Sequence, residues 1–322
     1  MPFVFDGRGL VLESGAIRQL WPPLVVGSNR PVGLYSFAVN YALHGEHVAG
    51  YHLTNIAIHV VAAWLLFEIV RRGLRSSRLE GRYDFVAGPL ALTAAMLWLV
   101  HPLQTQSVTY LYQRYESLMG MFFLLAVYGF FRAQESARPH LCYAGSVIAF
   151  ALGVATKEVA VVAPAVILWL DRALFAHSWR ELWRRRWAYY ATMSALLLAP
   201  AAFIFSSRDF YRGGGVLTDE VSSFDYALSQ PAVVLHYLRL SFWPAGQVLD
   251  YAWPVAVPPT EIALPLLAIG LLIGLTIWAA VRAPAMGALG GWFFLILAPT
   301  SSFAPIKDLA FEHRMYLPLA AV

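Results

Sequence analysis

Charge and cysteine are both scarce in this sequence. Of its 322 residues only 13% are charged, and the single cysteine, Cys142, lies in an apolar run. Soluble domains contain about 25% charged residues, so an ordinary soluble protein is excluded. One cysteine cannot form an intrachain disulfide, which leaves the redox compartment open. Metal-ligand motifs such as HExxH and CxxC are missing too, so the sequence does not predict a metal site.

The N-terminal segment lacks the features of a signal peptide. Its first residues, MPFVFDGRGLVLESGAIRQLWPP, mix charge with Gly and Pro and have neither a basic start nor an apolar core. Internal repeats, heptads and low-complexity segments are also missing. The net charge of +4 does not indicate a nucleic-acid partner, because the arginines cluster in a way that membrane topology explains.

Hydrophobic residues are abundant instead, at 59% of the chain. A membrane-crossing helix needs about 20 apolar residues, and the runs here predict an all-α polytopic membrane protein with about nine transmembrane helices. The runs are 51–70, 86–101, 117–131, 141–156, 158–171, 187–205, 261–281, 286–300 and one that starts near 315. The aromatic stretch 231–247 predicts a short interfacial helix.

Residues 1–50 are predicted to be a first extracytoplasmic loop that carries an amphipathic helix on the membrane surface. Residues 51–322 form the predicted multi-spanning membrane domain. Its first span runs inward and its last span stops after a few residues. The chain is therefore expected to be incomplete at both ends.

Arginines set the predicted orientation. The connections 71–85, 132–140 and 172–186, together with Arg282, contain more than half of the 23 lysines and arginines. These connections are predicted to be cytoplasmic, because positive residues are retained on that side. The alternate loops, with most of the unusual polar residues, then face outward. Those polar residues are Asp6, His101, Arg114, Glu116, Lys157, Glu158, Asp308, Glu312, His313 and Arg314.

Each of these residues also has a purely structural interpretation. Ionisable groups at the membrane boundary cost a few kcal/mol unless they are paired, and Lys157 and Glu158 are neighbours that are able to pair with each other. Arg114 and Glu116 are also explained as interfacial anchors of a span, and His313 and Arg314 as side chains that snorkel to headgroups. Asp6 on its own is compatible with an ordinary surface loop.

A polar stripe marks the first span. His52, Asn55 and His59 lie on one helix face at spacings of three and four residues. The two histidines are two turns apart, about 10.5 Å, which is too far for one metal ion. The favoured interpretation is hydrogen bonding between helices.

The chain resembles the transmembrane and tetratricopeptide-repeat (TMTC-type) protein O-mannosyltransferases and their bacterial relatives, which belong to the GT-C class of glycosyltransferases. The similarity covers most of the chain in order, apart from about 172–295. The stretches that carry it are FVFDGRGLVLESGAIR, NRPVGLYSFAVNYALHG, GYHLTNIAIHVVAAWLLF, HPLQTQSVTYLYQRYESLMGMFFLLA, ATKEVAVVAPAVILWLD and PTSSFAPIKDLAFEHRMYLPLA.

The resemblance implies a GT-C-like fold and a membrane glycosyltransferase. Its donor would be a polyprenyl-phosphate sugar, such as mannose or another hexose, and its acceptor a hydroxyl of protein Ser/Thr or of a glycan. The family carries two adjacent acids in the first external loop, where this chain has Asp6 and then Gly7. The resemblance also implies a preceding helix, further spans and a tetratricopeptide-repeat region, none of which is present in this sequence.

The resemblance gives the outward residues roles. Asp6 matches the catalytic aspartate and would act as general base. The predicted contacts to donor phosphate or sugar are His101, Arg114, Lys157, His313 and Arg314, and the acids predicted to orient them are Glu116, Glu158 and Glu312. The scheme requires no cofactor. The implied setting is a bacterial inner membrane, with membrane lipids around the protein and the site facing the periplasm.

Two other functions fit a membrane fold. A transporter or flippase for a lipid-linked substrate places charges near mid-membrane and often shows inverted repeats, whereas the charges here lie at one face. A non-catalytic scaffold would use the polar loops to bind a partner protein.

Overall fold

The computed structural model describes residues 9–21, 28–198, 221–254, 259–306 and 308–322. Within these ranges the chain is helical and contains no strand, which confirms the predicted all-α class. The α-helices are α1 (Pro31–His44), α2 (Val48–Leu74), α3 (Ala87–Val100), α4 (Thr105–Thr109), α5 (Arg114–Ala133), α6 (Pro139–Val154), α7 (Ala163–Leu174), α8 (Trp179–Leu196), α9 (Ser223–Phe242), α10 (Pro259–Arg282) and α11 (Pro284–Leu297).

Short 3₁₀ turns connect several of these helices. They span Gly15–Ile17, Ser77–Leu79, Pro102–Gln104, Leu111–Gln113, Glu158–Val162, Glu312–Met315 and Pro318–Ala321, and a π-turn spans Gly9–Glu13. The stretch predicted to carry an amphipathic helix contains α1, with Pro31 at its first position, where the missing N–H costs nothing, and the amphipathic character stays a prediction. Its position on the membrane surface stays a prediction.

Three helices are long and apolar enough to cross a membrane, spanning Val48–Leu74, Leu111–Ala133 and Glu261–Arg282. The apolar helices Ala87–Val100, Pro139–Val154 and Pro284–Leu297 are shorter. Helix α10 exposes large apolar side chains along its length, including Leu264, Leu267 and Leu271. A bilayer accommodates such a face, since the helix satisfies its own backbone hydrogen bonds. The protein is therefore an integral membrane protein, and about nine spans stays a prediction.

By packing, the chain divides into two compact units. Unit 1 contains Met1–Leu74 and Asp84–Ala163, and unit 2 contains Arg75–Tyr83 and Pro164–Val322. This division reflects packing contacts, whereas the predicted boundary at residue 50 concerns the membrane and stays a prediction.

Close contact between α5 and α6 shapes unit 1. A Cβ atom at Gly129 would lie 3.1 Å from the Cys142 carbonyl oxygen, and the Ser146 hydroxyl donates to the Ala126 carbonyl at 2.6 Å. Small residues allow membrane helices to approach in this way. Because the two helices are antiparallel and joined by a short loop, the start of α5 lies beside the turn that follows α6.

In unit 2, α7 and α8 form a hairpin around a buried charge. Arg186 on α8 donates to the Asp171 carboxylate at 2.8 and 3.1 Å, and the Tyr190 hydroxyl donates to it at 2.9 Å. Helices α10 and α11 pack closely at Gly287, where a Cβ atom would lie 2.5 Å from the Ala280 nitrogen. These contacts determine which side of each of these four helices is packed and which side is exposed.

Candidate functional site

The first turn of α1 is attached to the turn that follows α6. The Val32 N–H donates to the Ala155 carbonyl at 3.0 Å. Arg30, at the N-cap of α1, is thereby held beside Glu158, although 128 residues separate the two in sequence.

Arg30 and Glu158 form a two-point ion pair. Arg30 Nε donates to Glu158 Oε2 at 3.1 Å, and Nη2 donates to Oε1 at 2.6 Å. The side chains are 22% and 37% exposed, so solvent reaches both. Burial lowers the pKa of Arg30, but the Glu158 carboxylate outweighs it and the net direction is upward. Arg30 therefore stays charged in a geometry that also suits a phosphate group.

A second ion pair lies deeper in unit 1. Lys157 Nζ donates to Glu116 Oε2 at 2.6 Å, and the side chains are only 11% and 5% exposed. The structure therefore pairs Lys157 with Glu116 and Glu158 with Arg30, rather than Lys157 with Glu158. An ammonium group has three donors, of which Glu116 accepts one.

Arg114 is completely buried and is bound by the protein itself. Its Nε donates to Asn55 Oδ1 and its Nη2 to Asn40 Oδ1, both at 2.6 Å. Nη2 also donates to the Tyr51 carbonyl at 3.1 Å, and Nη1 donates to the Ser36 carbonyl at 3.3 Å. Arg114 thus joins α5 to α1 and α2.

The polar stripe of α2 makes hydrogen bonds between helices, as predicted for Asn55 and His59. Asn55 Nδ2 donates to the Val108 carbonyl, and His59 Nε2 contacts the Leu99 carbonyl, both at 3.0 Å. His101 precedes a 3₁₀ turn, and its Nδ1 accepts from the Leu103 N–H at 3.2 Å. The structure places His101 in unit 1 and partly exposed.

The predicted general base, Asp6, lies outside the described residues. The segment that follows it packs into unit 1. Val11 and Ile17 are buried in one apolar cluster with Phe37, Tyr51 and Tyr115. Tyr115 is the chain neighbour of both Arg114 and Glu116.

A separate polar cluster forms in unit 2 around Glu312. Its carboxylate accepts from Gln247 Nε2 at 3.0 Å, from the Val248 N–H at 3.0 Å and from the Tyr251 hydroxyl at 2.5 Å. Burial raises the pKa of Glu312, and the three hydrogen bonds oppose that rise. Glu312 thus fastens the segment that follows α9.

Arg314 in the same cluster donates mainly to backbone carbonyls. Its Nη1 reaches the carbonyls of Thr300 at 3.0 Å and Leu309 at 2.9 Å, and its Nη2 reaches the carbonyl of Asp308. The buried His313 packs beside Phe311, with ring centroids 4.9 Å apart. Arg314 therefore closes the loop that precedes it.

The predicted residues fall into two clusters, one in each unit. Unit 1 brings together Arg114, Glu116, Lys157 and Glu158, and unit 2 brings together Glu312, His313 and Arg314. Sequence reasoning missed Arg30 and Asn40. Their signals were the NRP triplet at the start of the amphipathic stretch and a polar residue within its apolar part. Among the described residues no group of three His, Cys, Asp or Glu side chains is placed to hold a metal ion.

Comparison with known proteins gives a family match and several relatives. Residues 28–204 match the family model described as dolichyl-phosphate-mannose-protein mannosyltransferase. A protein O-mannosyl-transferase of Caenorhabditis elegans is 34% identical over 141 residues, which is 39% of this chain and 19% of that protein. No solved structure matches the chain.

Two further relatives agree with this result. Protein O-mannosyl-transferase Tmtc1 of Drosophila melanogaster is 34% identical over 140 residues, 38% of this chain and 15% of that protein. Protein O-mannosyl-transferase TMTC4 of Homo sapiens is 34% identical over 110 residues, 33% of this chain and 15% of that protein. The matched segments thus span less than a fifth of each relative.

The family match covers more than half of the chain and includes the Arg30–Glu158 and Lys157–Glu116 ion pairs. The predicted resemblance is confirmed, and the chain belongs to the dolichyl-phosphate-mannose-protein mannosyltransferase family.

Proposed function

We propose that this protein is a GT-C-type glycosyltransferase. It moves a hexose, mannose by the names of its relatives, from a polyprenyl-phosphate donor to a Ser or Thr hydroxyl of a protein. The observation that carries the proposal is the pair of neighbouring acid–base contacts, Arg30–Glu158 and Lys157–Glu116, inside the family-matched segment.

The two pairs offer cations to a phosphate. A phosphate that arrives beside Arg30 competes with Glu158 for the guanidinium, which is partly exposed and presents its donors in a fork that matches phosphate oxygens. Lys157 is the next residue in the chain and keeps donors beyond the one that Glu116 accepts. We assign Arg30 and Lys157 as phosphate contacts.

Arg114 and Arg314, predicted as phosphate contacts, have positioning roles in this proposal. Each guanidinium already donates to at least three acceptors of the protein. Glu116 and Glu158 hold the two cations in place, and Glu312 holds its loop. His101 and His313 stay predicted contacts for sugar or phosphate.

The reaction exchanges one bond at the anomeric carbon for another. The acceptor oxygen forms a bond to that carbon while the bond to the phosphate oxygen breaks, and the hydroxyl proton passes to Asp6 as general base. The leaving lipid phosphate carries negative charge, which cations held in advance stabilise. No cofactor takes part in this scheme, since the cations supply the stabilisation.

The proposed location is a bacterial inner membrane, with the site on the periplasmic side. Its support is the arginine distribution, because the loops that contain Arg30, Glu116 and Lys157 alternate with the arginine-rich connections. The lipid tail of the donor then lies in the membrane while its sugar reaches the outer surface.

The test measures sugar transfer by the full-length protein in membrane vesicles. The donor is polyprenyl-phosphate mannose with a radioactive sugar, and the acceptor is a Ser/Thr peptide. Asp6→Asn is expected to lower the rate about 10²–10⁴-fold, the usual contribution of a general base. Arg30→Gln is expected to lower it about 10²–10³-fold, as when one stabilising donor is lost.

Arg18→Gln is the matched control, since Arg18 is an exposed arginine of the same loop whose partner Glu46 is also exposed. It should transfer at the wild-type rate. Undiminished transfer by both Asp6→Asn and Arg30→Gln would disprove the assignment. A wild-type protein that moves the donor across the membrane without transferring sugar would support a transporter instead.

A further inference from the structure

Helix α8 presents a row of tryptophans to its surroundings. Trp179, Trp183 and Trp187 are four residues apart, so they lie on one side of the helix. They are 51%, 48% and 63% exposed, although tryptophan is a side chain that soluble surfaces rarely expose. Arg172 of α7 lies over the Trp179 ring at 5.9 Å and Tyr190 packs edge-on against Trp183 at 5.9 Å, yet about half of each indole stays exposed.

The buried side of α8 lies next to that row, because Leu182 and Arg186 each follow a tryptophan by three residues. Leu182, Arg186 and Tyr189 are buried, and Arg186 is bound to Asp171 on α7. The tryptophans therefore lie along the border of the packed side, and the bond from Arg186 to Asp171 holds α8 in the orientation that leaves about half of each indole exposed.

Arginines border the tryptophan row. Arg180 and Arg184 follow Trp179 and Trp183 directly in the chain, and both are exposed. Their spacing of four residues places them in a second row beside the first. Arg185 is exposed as well and forms a loose pair with Glu181 at 3.4 Å.

A second basic segment of unit 2 is attached next to this helix. Arg78 donates to the Ala176 carbonyl, in the turn between α7 and α8, at 3.1 Å. The segment Arg75–Tyr83 belongs to the same unit and carries the exposed Arg75 and Arg82. Positive charge is therefore concentrated at this end of the hairpin.

We infer that the first three turns of α8 form a binding surface for anionic phospholipid headgroups. Tryptophan indoles favour the boundary between headgroups and acyl chains. Arginines one residue further along reach the phosphate layer and bind its oxygens at two points. A cluster of basic residues beside a bilayer is also attracted to the negative surface of a leaflet that contains anionic lipids. The inference is independent of the proposed glycosyl transfer.

The experiment uses the full chain reconstituted in phosphatidylcholine bilayers. Spin-labelled phosphatidylglycerol and spin-labelled phosphatidylcholine report the relative association of each lipid with the protein. The double variant Arg180→Gln with Arg184→Gln keeps the buried Arg186 and should fold normally. Its preference for phosphatidylglycerol is expected to fall about five-fold for each arginine removed, and the wild-type preference should fall with added salt.

The matched control is Arg132→Gln with Arg138→Gln, which removes two exposed arginines of another connection that is also predicted to be cytoplasmic. It should keep the wild-type preference. An equal loss in both double variants would show a diffuse positive field and overturn the assignment to α8. An unchanged preference in the Arg180/Arg184 variant would overturn it too.

A second measurement tests the tryptophans directly. Phosphatidylglycerol with bromine near the headgroup end of its acyl chains quenches indoles at that depth. Trp183→Phe with Trp187→Phe should lower the quenched fraction of the fluorescence relative to wild type. An unchanged quenched fraction would place these indoles away from the lipid and contradict the proposed surface.

Discussion

The polar cluster of unit 1 and the polar cluster of unit 2 use similar residue types in opposite ways. In unit 1 the charged pairs are acid to base, as in Arg30–Glu158 and Lys157–Glu116. In the cluster around Glu312 and Arg314 the charges bind neutral groups instead. Arg314 donates to backbone carbonyls, and Glu312 accepts from an amide, an N–H and a hydroxyl.

This difference shows what each arrangement is able to do. A cation paired with a carboxylate has a partner that a phosphate is able to replace, because both are oxygen anions. Arg314, by contrast, binds three backbone carbonyls of the loop that precedes it, and these bonds exist only while that loop stays folded. Unit 1 therefore suits exchange with a charged ligand, and the unit 2 cluster suits the ordering of loops.

The largest expected effect is that of Arg114→Ala, which tests the structural part of the unit 1 cluster. The change leaves the Oδ1 atoms of Asn40 and Asn55 and the Tyr51 carbonyl buried without their donor. Each such group costs about 1–3 kcal/mol, so a loss of about 4 kcal/mol or more is expected. Thermal unfolding in detergent measures it.

Arg132→Ala, at the exposed end of the same helix, should unfold nearly as wild type. If Arg114→Ala unfolds normally but no longer binds the lipid donor, Arg114 contacts phosphate as predicted from the sequence. In that case Arg114 contacts the ligand as Arg30 does, and the purely structural role assigned to it is wrong.

The next effect concerns the buried pair. Lys157→Met leaves Glu116 as an unpaired buried acid, and removal of one partner typically costs about 3–5 kcal/mol. Adding Glu116→Leu should restore most of that stability, because it removes the stranded charge. Sugar transfer should stay low in the double variant, since the cation is still missing.

The exposed pair Arg185–Glu181 is the control for this cycle, with an expected coupling of about 0.5 kcal/mol or less. Full transfer by the Lys157→Met/Glu116→Leu protein would show that the pair only packs the helices together and that Lys157 does not contact phosphate, while the assignment of Arg30 would stand.

A smaller effect is expected for Arg314→Gln in unit 2. The charged donor to the Thr300, Asp308 and Leu309 carbonyls is lost, but the Gln amide keeps two N–H donors. A net loss of about 1.5–3 kcal/mol, that of one hydrogen bond from a charged donor, is therefore expected. The loop between α11 and the Glu312–Met315 turn should then be cleaved faster by protease. Arg239→Gln, an exposed arginine on α9, should leave cleavage unchanged. If protease cleavage is unchanged but sugar transfer is lost, Arg314 takes part in the reaction, and the contrast between the two clusters is wrong.

Most of the fold could be predicted, because it follows from continuous features of the sequence. Apolar runs longer than a few helical turns marked α2, α3, α5, α6, α10 and α11, and the arginine clusters marked the connections between them. The polar stripe of Asn55 and His59 also predicted hydrogen bonds to neighbouring helices, since a buried amide or imidazole needs a hydrogen-bond partner.

The pairing inside the site could not be predicted, because it depends on backbone direction and on distant residues. Lys157 and Glu158 are adjacent, which suggested a mutual pair. Lys157 has extended backbone, with φ −157° and ψ 139°, and successive side chains on extended backbone point to opposite sides. Lys157 therefore reaches Glu116, while Glu158 reaches Arg30, a residue that no local pattern connects to it.

The smallest effect is the pH dependence that Glu312 gives to unit 2. Burial raises the pKa of Glu312 above its ordinary 4.5, so the folded protein holds this proton more tightly than the unfolded chain does. The stability from the protonated form is then fully present below pH 4.5 and is lost as the pH rises through the raised pKa. The melting temperature of the wild type should fall over that window.

Glu312→Gln removes the titrating group and should flatten this fall, while Glu80→Gln, at an exposed turn position, should not. The comparison of the clusters depends on this sign. A carboxylate that faced a cation would have a lowered pKa, and its contribution to stability would grow with rising pH. If the difference in melting temperature between wild type and Glu312→Gln grows in the wild type's favour as the pH rises, Glu312 has a cationic partner in solution, and the two clusters work alike.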